Sequence, residues 1–120
     1  MRIVQVAQHA SDLDRAAAFY QLLLGSPPAA RFDPPGLLFF DLDGTRLLLD
    51  ANAPSALLYL RVDNIAADVA RLEEAGAEIV SPPHVIFRHA DGSLGPAGTA
   101  EWQAFVRDSE GNLVGLVEWR

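Results

Sequence analysis

An internal repeat constrains the fold of this 120-residue chain more than any other feature. Residues 3–25 and 57–76 each combine a short apolar stretch, a polar helix start and an amphipathic segment that stops at a glycine, Gly25 or Gly76. In both segments apolar side chains recur at the spacing of one helical face. They are Leu13, Ala17, Tyr20 and Leu24 in the first segment, and Ile65, Val69 and Leu72 in the second. Each half is therefore predicted to begin with a strand and a helix.

Each strand and helix are followed by two apolar runs around a tight turn. Residues 39–49 contain Asp43-Gly44, and residues 105–116 contain Glu110-Gly111. An acidic residue and a glycine between apolar runs indicate a β-hairpin, because glycine accepts a positive φ without a steric penalty. The chain is thus predicted to be one α+β domain over residues 1–120. Its two βαβββ modules span about 1–52 and about 55–120, with a joint near Pro54.

Composition excludes several classes of function. The formal net charge is -7 and the nine Lys and Arg residues are scattered, so we expect no nucleic-acid partner. Cysteine is absent, which excludes disulfides, thiolate metal sites and a cysteine nucleophile. No apolar run approaches the roughly 20 residues that span a bilayer, and the first residues do not resemble a signal peptide. The sequence therefore predicts a cytoplasmic protein with no membrane partner.

The segment between the second helix and its closing hairpin, residues 78–99, is unusually long. Pro82-Pro83 interrupts a strand that resumes over residues 84–89, and residues 91–98 form a glycine-rich loop. An insertion of this kind in a small domain is functional or mobile. His84 and His89 are five residues apart, so in a continuous strand they point to opposite faces. One of them is expected to line a cavity and the other to lie outside it.

Two sequence stretches carry a family resemblance. The helix entry Ser11-Asp12-Leu13-Asp14 is followed by Phe19-Tyr20 and Leu24-Gly25, and the closing turn reads Arg107-Asp108-Ser109-Glu110-Gly111-Asn112. Their order and spacing resemble the vicinal-oxygen-chelate family of glyoxalases, bleomycin-resistance proteins and dioxygenases, with Ser109 in place of the usual proline of the turn. The resemblance covers nearly the whole chain. It implies curved mixed sheets that form two half-barrels around a cavity, and a homodimer of two chains.

The resemblance also implies where a divalent metal would be held. Enzymes of the family take ligands from the first and last strands of each module, at positions that fall here on Gln5, Leu48, Leu57 and Gly115. Only Gln5 has a side-chain donor, whereas a divalent ion needs several nitrogen or oxygen ligands. We therefore expect that the metal site has been lost and that the protein binds no cofactor.

Without metal ligands, the same positions predict a mostly apolar pocket. The resemblance implies that Phe105, three residues before Asp108, points inward like Gly115, and that Gln103 lies on the same side. The missing side chain of Gly115 is expected to leave open volume. The full set of predicted ligand-binding residues is Gln5, Leu48, Leu57, His84, Arg88, Gln103, Phe105 and Gly115. Trp102 and Trp119 are further candidates for stacking surfaces, and Trp102 could instead pack against a helix. Such a lining is typical of small-molecule sites.

Three functions remain open at this point. The leading hypothesis is a metal-independent protein that binds a small, partly apolar or aromatic molecule, similar to the bleomycin-resistance branch of the family. The second is a lyase or isomerase in which His84 or His89 acts as general acid or base. The third is an interaction module whose cavity is filled by Leu48, Leu57 and Phe105. The sequence names neither a catalytic residue nor the ligand.

Overall fold

The computed structural model describes all 120 residues. The elements follow the order β1 (Gln5–His9), α1 (Leu13–Leu24), β2 (Ala30–Phe32), β3 (Leu37–Leu42), β4 (Thr45–Asp50), β5 (Leu58–Arg61), α2 (Ile65–Glu74), β6 (Ile79–Arg88), β7 (Ala100–Arg107) and β8 (Leu113–Trp119). This order confirms the α+β class and the two tandem βαβββ modules. Contacts divide the chain into two compact units, residues 1–56 with 108–112, and residues 57–107 with 113–120. Neither helix is long and apolar enough to cross a membrane.

The first unit is a four-stranded mixed sheet with the order β1-β4-β3-β2. β1 pairs with β4 in parallel, while β4, β3 and β2 are antiparallel neighbours. One face of this sheet carries fully buried apolar side chains, and α1 contacts β3 and β4 through Ala16, Tyr20 and Leu23. The ring centroids of Tyr20 and Phe40 are 6.1 Å apart in this core.

The second unit repeats the arrangement, with the strand order β5-β8-β7-β6 and β5 parallel to β8. Helix α2 contacts β6, β7 and β8, and its buried residues are the predicted Ile65, Val69 and Leu72. The sheet positions that share this core alternate along β7 and β8, and include Ala104, Val106, Val114 and Leu116. The opposite face of the sheet has no helix on it within this unit.

Local chemistry explains where the helices begin and end. Asp12 and Asn64 are N-caps whose side chains accept hydrogen bonds from the backbone N–H groups of Arg15 and Ala67, each at 3.0 Å. Gly25 adopts a φ of 75° and ends α1 as predicted. Gly76 lies one residue beyond the Ala75 cap of α2 and has a φ of 94°.

Two local predictions are wrong. The apolar stretch that opens the first segment, residues 3–7, predicts a strand there, but the strand spans Gln5–His9, because its ladder is set by the parallel pairing from Gln5 with Arg46 to His9 with Asp50. The predicted face of α1 shares only Tyr20 with the buried set Ala16, Tyr20 and Leu23. The helix is therefore rotated about its axis by about 60° relative to the expectation, less than the roughly 100° that separates successive residues.

Candidate functional site

The helix-free face of the second sheet carries the clearest candidate site. Strand pairing places Tyr59 beside Gly115 and Arg61 beside Val117. On the other side of β8, Gln103 pairs with Val117 and Glu101 with Trp119. Because side chains of paired residues point to the same side of a sheet, these groups share one face.

A pocket of about 400 Å³ opens on this face. Its walls combine apolar and aromatic groups with three polar side chains. The apolar and aromatic residues are Tyr59, Leu94, Val117 and Trp119, and the polar ones are Arg61, Glu101 and Gln103. Of the eight predicted ligand-binding residues, this pocket contains Gln103.

Glu101 is the centre of a hydrogen-bond network in the pocket wall. Its Oε1 accepts bonds from Nε2 of His89 and Nε1 of Trp119, both at 2.9 Å. Its Oε2 accepts a bond from Nε2 of Gln103 at 2.6 Å. Burial acts to raise the pKa of Glu101, but the hydrogen bonds from Trp119, Gln103 and His89 outweigh it, so the pKa lies below its ordinary value. The carboxylate is therefore ionised at neutral pH and holds three neighbouring side chains in place.

The two histidines of the long segment lie in different surroundings. His89 is buried, follows directly after β6 and packs against Phe87 at a centroid distance of 4.6 Å. His84 is exposed, and its Nδ1 donates to the carbonyl oxygen of Pro82 at 2.8 Å. Register shifts near residues 81–84 and 85–87 mean that simple alternation does not relate the two. Of the two, His89 is the one bound to a pocket residue, Glu101.

One charged group lies over the face of the Trp119 ring, and another lies at its edge. The guanidinium carbon of Arg61 lies 5.5 Å from the centroid of the Trp119 ring, which is a cation–π arrangement. The indole N–H points to Glu101. Trp119 is thus held in place both at the face and at the edge of its ring.

The loop of residues 90–99 contributes one wall of the pocket. Leu94 lines the pocket although most of its side chain is exposed. Gly95 approaches His89 and Trp119 so closely that a Cβ there would lie 2.7 Å from Cε1 of His89. The backbone of His89 holds the ends of the loop through hydrogen bonds with Thr99 and Gly98, both at 2.8 Å. Gly95 therefore permits close contact between the loop and the Glu101 network.

The expectation that Gly115 leaves open volume is wrong. A Cβ built there would meet Cδ1 of Tyr59 at 2.8 Å and Cε1 of Phe105 at 3.2 Å. These two rings pack edge to face over the glycine, with centroids 5.8 Å apart. The space is filled by aromatic rings, and the pocket lies beside them.

The other predicted site residues are dispersed. In the first unit, Gln5 is exposed, and its Oε1 accepts a bond from Nε of Arg46 at 3.0 Å. Leu48 lies on the same helix-free face of that sheet and is buried. In the second unit, Leu57 precedes β5 and is 48% exposed, and Arg88 is exposed at the end of β6.

These positions do not fit a divalent metal. Leu48 and Leu57 have no donor atoms, Gly115 is covered by two aromatic rings, and the oxygen of Gln5 is occupied by Arg46. No group of three or more His, Asp or Glu side chains is arranged to hold a metal ion in the chain. The proposed cavity filling by Leu57 also fails, because that side chain is exposed.

A second pocket of about 360 Å³ lies in the first unit. It is almost entirely apolar and is bordered by Phe32 and Phe39, whose rings pack edge to face. Asp41 and Arg46 are its charged residues. It lacks the buried hydrogen-bond network of the pocket around Glu101.

The sequence did not identify three residues of this site, Tyr59, Arg61 and Glu101. It also left open which histidine contacts the pocket wall, and that histidine is His89. One signal could have found Glu101, because it lies two residues before Gln103 and alternation places both on the same face. Tyr59 and Arg61 alternate in the same way along β5, but their neighbours are known only from the register with β8.

Residues 2–116 match the model of the Glyoxalase/Bleomycin resistance protein/Dioxygenase superfamily, and the chain belongs to this family. The match confirms the family inferred from the helix entry and the closing turn. No curated protein matches the chain in sequence.

Solved structures with the same fold have diverse descriptions. TnmS3, an antibiotic binding protein from Streptomyces sp. CB03234, is 25% identical with a TM-score of 0.76, and the alignment covers 100% of this chain and 97% of TnmS3. A virulence protein from Salmonella typhimurium is 22% identical with a TM-score of 0.73, covering 100% and 98%. A glyoxalase I mutant from Zea mays is 17% identical with a TM-score of 0.68, covering 97% of this chain and 44% of the enzyme. The last two likenesses show the fold alone.

Proposed function

We propose that this protein binds a small, partly aromatic molecule in the pocket formed by Tyr59, Trp119 and Glu101, without a metal ion. The observation that carries the proposal is the pocket of about 400 Å³ with two aromatic walls and a fixed carboxylate. A volume of this size and a lining of this kind suit a small organic ligand. The description of TnmS3 as an antibiotic binding protein supports the same class of function.

Binding requires no catalytic group, and the arrangement of the polar side chains supports this reading. Glu101 already receives three hydrogen bonds, which suits a residue that holds the pocket wall. His89 uses its Nε2 for Glu101 and is buried beneath Gly95. The donor-poor set Gln5, Leu48, Leu57 and Gly115 supports metal independence.

Titration with a neutral aromatic probe tests the proposal. We expect 2-naphthamide to bind saturably, one molecule per chain, with a Kd on the order of 0.1–1 mM, given the affinity typical per ligand atom. Chemical-shift changes in NMR spectra should concentrate on the residues around Trp119. Leu94→Ala should weaken binding several-fold, because it removes an exposed pocket wall without disturbing the core.

Trp119→Ala tests the aromatic wall of the pocket, and Trp102→Ala is its matched control. The two side chains lie on opposite faces of the second sheet, because Trp102 pairs with Glu118 and Trp119 pairs with Glu101. Only the Trp119 variant should lose binding, and thermal melting of both variants checks that they are folded. Affinity should be unchanged after dialysis against EDTA. Loss of binding in EDTA with recovery on adding a divalent ion would contradict metal independence.

We further infer that two chains form a homodimer. Each sheet ends in outer strands that pair with only one neighbouring strand, and sheet edges of this kind favour association. Strand β6, at one such edge, also exposes Val80, Val85, Ile86 and Phe87. Sedimentation at micromolar concentration should give twice the chain mass of 13.0 kDa. A mass equal to that of a single chain would refute the inference.

A further inference from the structure

The pocket of the second unit contains one cationic side chain, Arg61, and one anionic side chain, Glu101. The two differ in how many hydrogen bonds they form with the rest of the protein. Glu101 accepts three hydrogen bonds from protein donors. Arg61 is exposed and has the cation–π contact with Trp119 as its only contact to a polar or aromatic partner. The guanidinium therefore has hydrogen-bond donors available to a ligand, while most of the acceptor capacity of the carboxylate is used.

We propose that the ligand of this pocket is an aromatic mono-acid, whose acidic group pairs with Arg61 and whose ring lies against Trp119 and Tyr59. This inference rests on the proposed binding function and names its ligand class. It assigns Arg61 as the residue that determines specificity for the acid. It also assigns the orientation of the ligand, with the acidic group directed away from Glu101.

The chemistry of Arg61 suits a carboxylate. A guanidinium presents parallel N–H donors in a plane, which match the two oxygens of a carboxylate. The contact with the Trp119 ring limits the freedom of the Arg61 side chain before ligand arrives, so less conformational entropy is lost on binding. An aromatic acid of this shape places its ring where Trp119 and the half-exposed Tyr59 offer stacking surfaces.

The charge of Glu101 sets the orientation and limits the ligand to one acidic group. The carboxylate lies at the N–H edge of the Trp119 indole, whereas Arg61 lies over the ring. Coulomb energy falls inversely with distance, so an acid in contact with Arg61 is attracted more strongly than it is repelled by Glu101. A second acidic group at the far end of the ligand would face Glu101 and be repelled.

A cationic ligand is the main competing class, because the net charge of -7 attracts cations at long range. In the pocket itself, however, a cation would approach an unpaired guanidinium. Three protein donors also compete for the oxygens of Glu101. The pocket contacts therefore favour the acid, and a cationic probe measures the alternative directly.

Four probes with one ring system test the proposal by titration: 2-naphthoate, neutral 2-naphthamide, naphthalene-2,6-dicarboxylate and protonated 2-naphthylmethylamine. We expect 2-naphthoate to bind about tenfold more tightly than the amide, as for one exposed charge-assisted contact. The diacid should bind more weakly than the mono-acid, and the amine more weakly than the amide. Moderate salt should reduce the advantage of the acid.

Variants of Arg61 give the decisive comparison. Arg61→Gln should abolish the advantage of 2-naphthoate and leave the affinity for 2-naphthamide nearly unchanged, and Arg61→Lys should restore part of that advantage. Arg120→Gln is the matched control, because Arg120 is exposed, lies outside the pocket and has its guanidinium carbon 4.2 Å from the centroid of the Trp102 ring. This variant should bind all probes as the wild type does.

The possible results distinguish a failure of this inference from a failure of the proposed binding function on which it rests. If 2-naphthamide binds but 2-naphthoate is no tighter, or if its advantage survives Arg61→Gln, the acid specificity is refuted while small-molecule binding stands. Tighter binding of the amine would assign the site to cations instead. If the diacid binds as tightly as the mono-acid, the orientation set by Glu101 is wrong. Failure of every probe to bind would overturn both proposals.

Discussion

Replacing Asp108 with alanine is expected to lower the free energy of unfolding by about 3–5 kcal/mol, because several buried or part-buried donors lose their acceptor, at about 1–3 kcal/mol for each buried donor left unpaired. Asp108 is 6% exposed, and its Oδ1 accepts bonds from the backbone N–H groups of Glu110 at 2.8 Å and Asn112 at 2.7 Å. Its Oδ2 accepts bonds from the Tyr20 hydroxyl at 2.6 Å and from Nδ2 of Asn112 at 2.8 Å.

The Tyr20 hydroxyl makes this substitution costly. Tyr20 is fully buried in the core of the first unit, where burial, and then the adjacent Asp108 charge, raise its pKa. Without Asp108 a buried phenol loses its acceptor, and so do the backbone N–H groups of Glu110 and Asn112 in the turn of residues 108–112. Urea unfolding should show a lower midpoint, and the melting temperature should fall by more than about 10 °C.

Two further variants bracket the Asp108 effect. Tyr20→Phe should cost less, about 1–2 kcal/mol, because Asp108 then keeps its other three hydrogen bonds. Asp63→Ala removes an exposed carboxylate and should change stability by less than about 0.5 kcal/mol. A loss below about 1 kcal/mol for Asp108→Ala would show that the network is not a major source of stability.

The repeat and the hairpins could be predicted because their signals are local. Asp43 and Gly44 both have positive φ values, 52° and 94°, which is what a two-residue hairpin turn requires and what the residue types suggested. The pairing of Leu42 with Thr45 then follows from the length of the turn. The caps at Asp12 and Asn64 are equally local, since each bonds to a residue three positions ahead.

The face of α1 could not be predicted reliably, because its last turn contains three consecutive leucines, residues 22–24. Any rotation of the helix buries one of them, so the pattern does not choose among them. Contact with Phe40 and the bond between Tyr20 and Asp108 fix the rotation. Both partners lie far from α1 in the chain, so the choice is tertiary.

Spacing from the family pattern located one face of the second sheet but not the pocket. Gln103, Phe105 and Gly115 share that face, as the family pattern implied. The Tyr59 ring fills the space above Gly115, and the position of Tyr59 follows from the parallel register of β5 with β8. Leu57 was placed one position too early to belong to β5, which begins at Leu58. The register between strands that are distant in the sequence cannot be obtained by counting residues along the chain.

Glu110→Gln is expected to destabilise the protein by about 2 kcal/mol at neutral pH, and the loss should shrink in acid. The Glu110 carboxylate has 1% of its side chain exposed and lies at the start of α1. Oε1 accepts bonds from the backbone N–H groups of Ser11 at 2.9 Å and Asp12 at 3.0 Å, and Oε2 accepts one from Nε of Arg15 at 2.6 Å. A negative charge at a helix N-terminus is favourable in itself.

The pH dependence follows from the pKa of Glu110. The Arg15 hydrogen bond is the largest cause that lowers this pKa, burial opposes it, and the net result is a value of about 2 against an ordinary 4.5. A carboxyl group with a lower pKa in the folded state stabilises the protein fully above about pH 4.5, and this stabilisation is lost as the pH falls towards 2. Because half of the Arg15 side chain is exposed to solvent, we take about 2 kcal/mol instead of the larger value implied by the full shift.

Urea unfolding of the wild type and Glu110→Gln between pH 2 and pH 7 measures this effect. The difference between the two proteins should be constant from about pH 5 to 7, should narrow below pH 4.5, and should be smallest near pH 2. Glu78→Gln is the matched control, because Glu78 is 72% exposed and lies 3.8 Å from Arg107 in a surface ion pair. Its effect should stay below about 0.5 kcal/mol at every pH. A deficit in Glu110→Gln that persists unchanged at pH 2 would mean that the shape of the side chain, and not its charge, stabilises the start of α1.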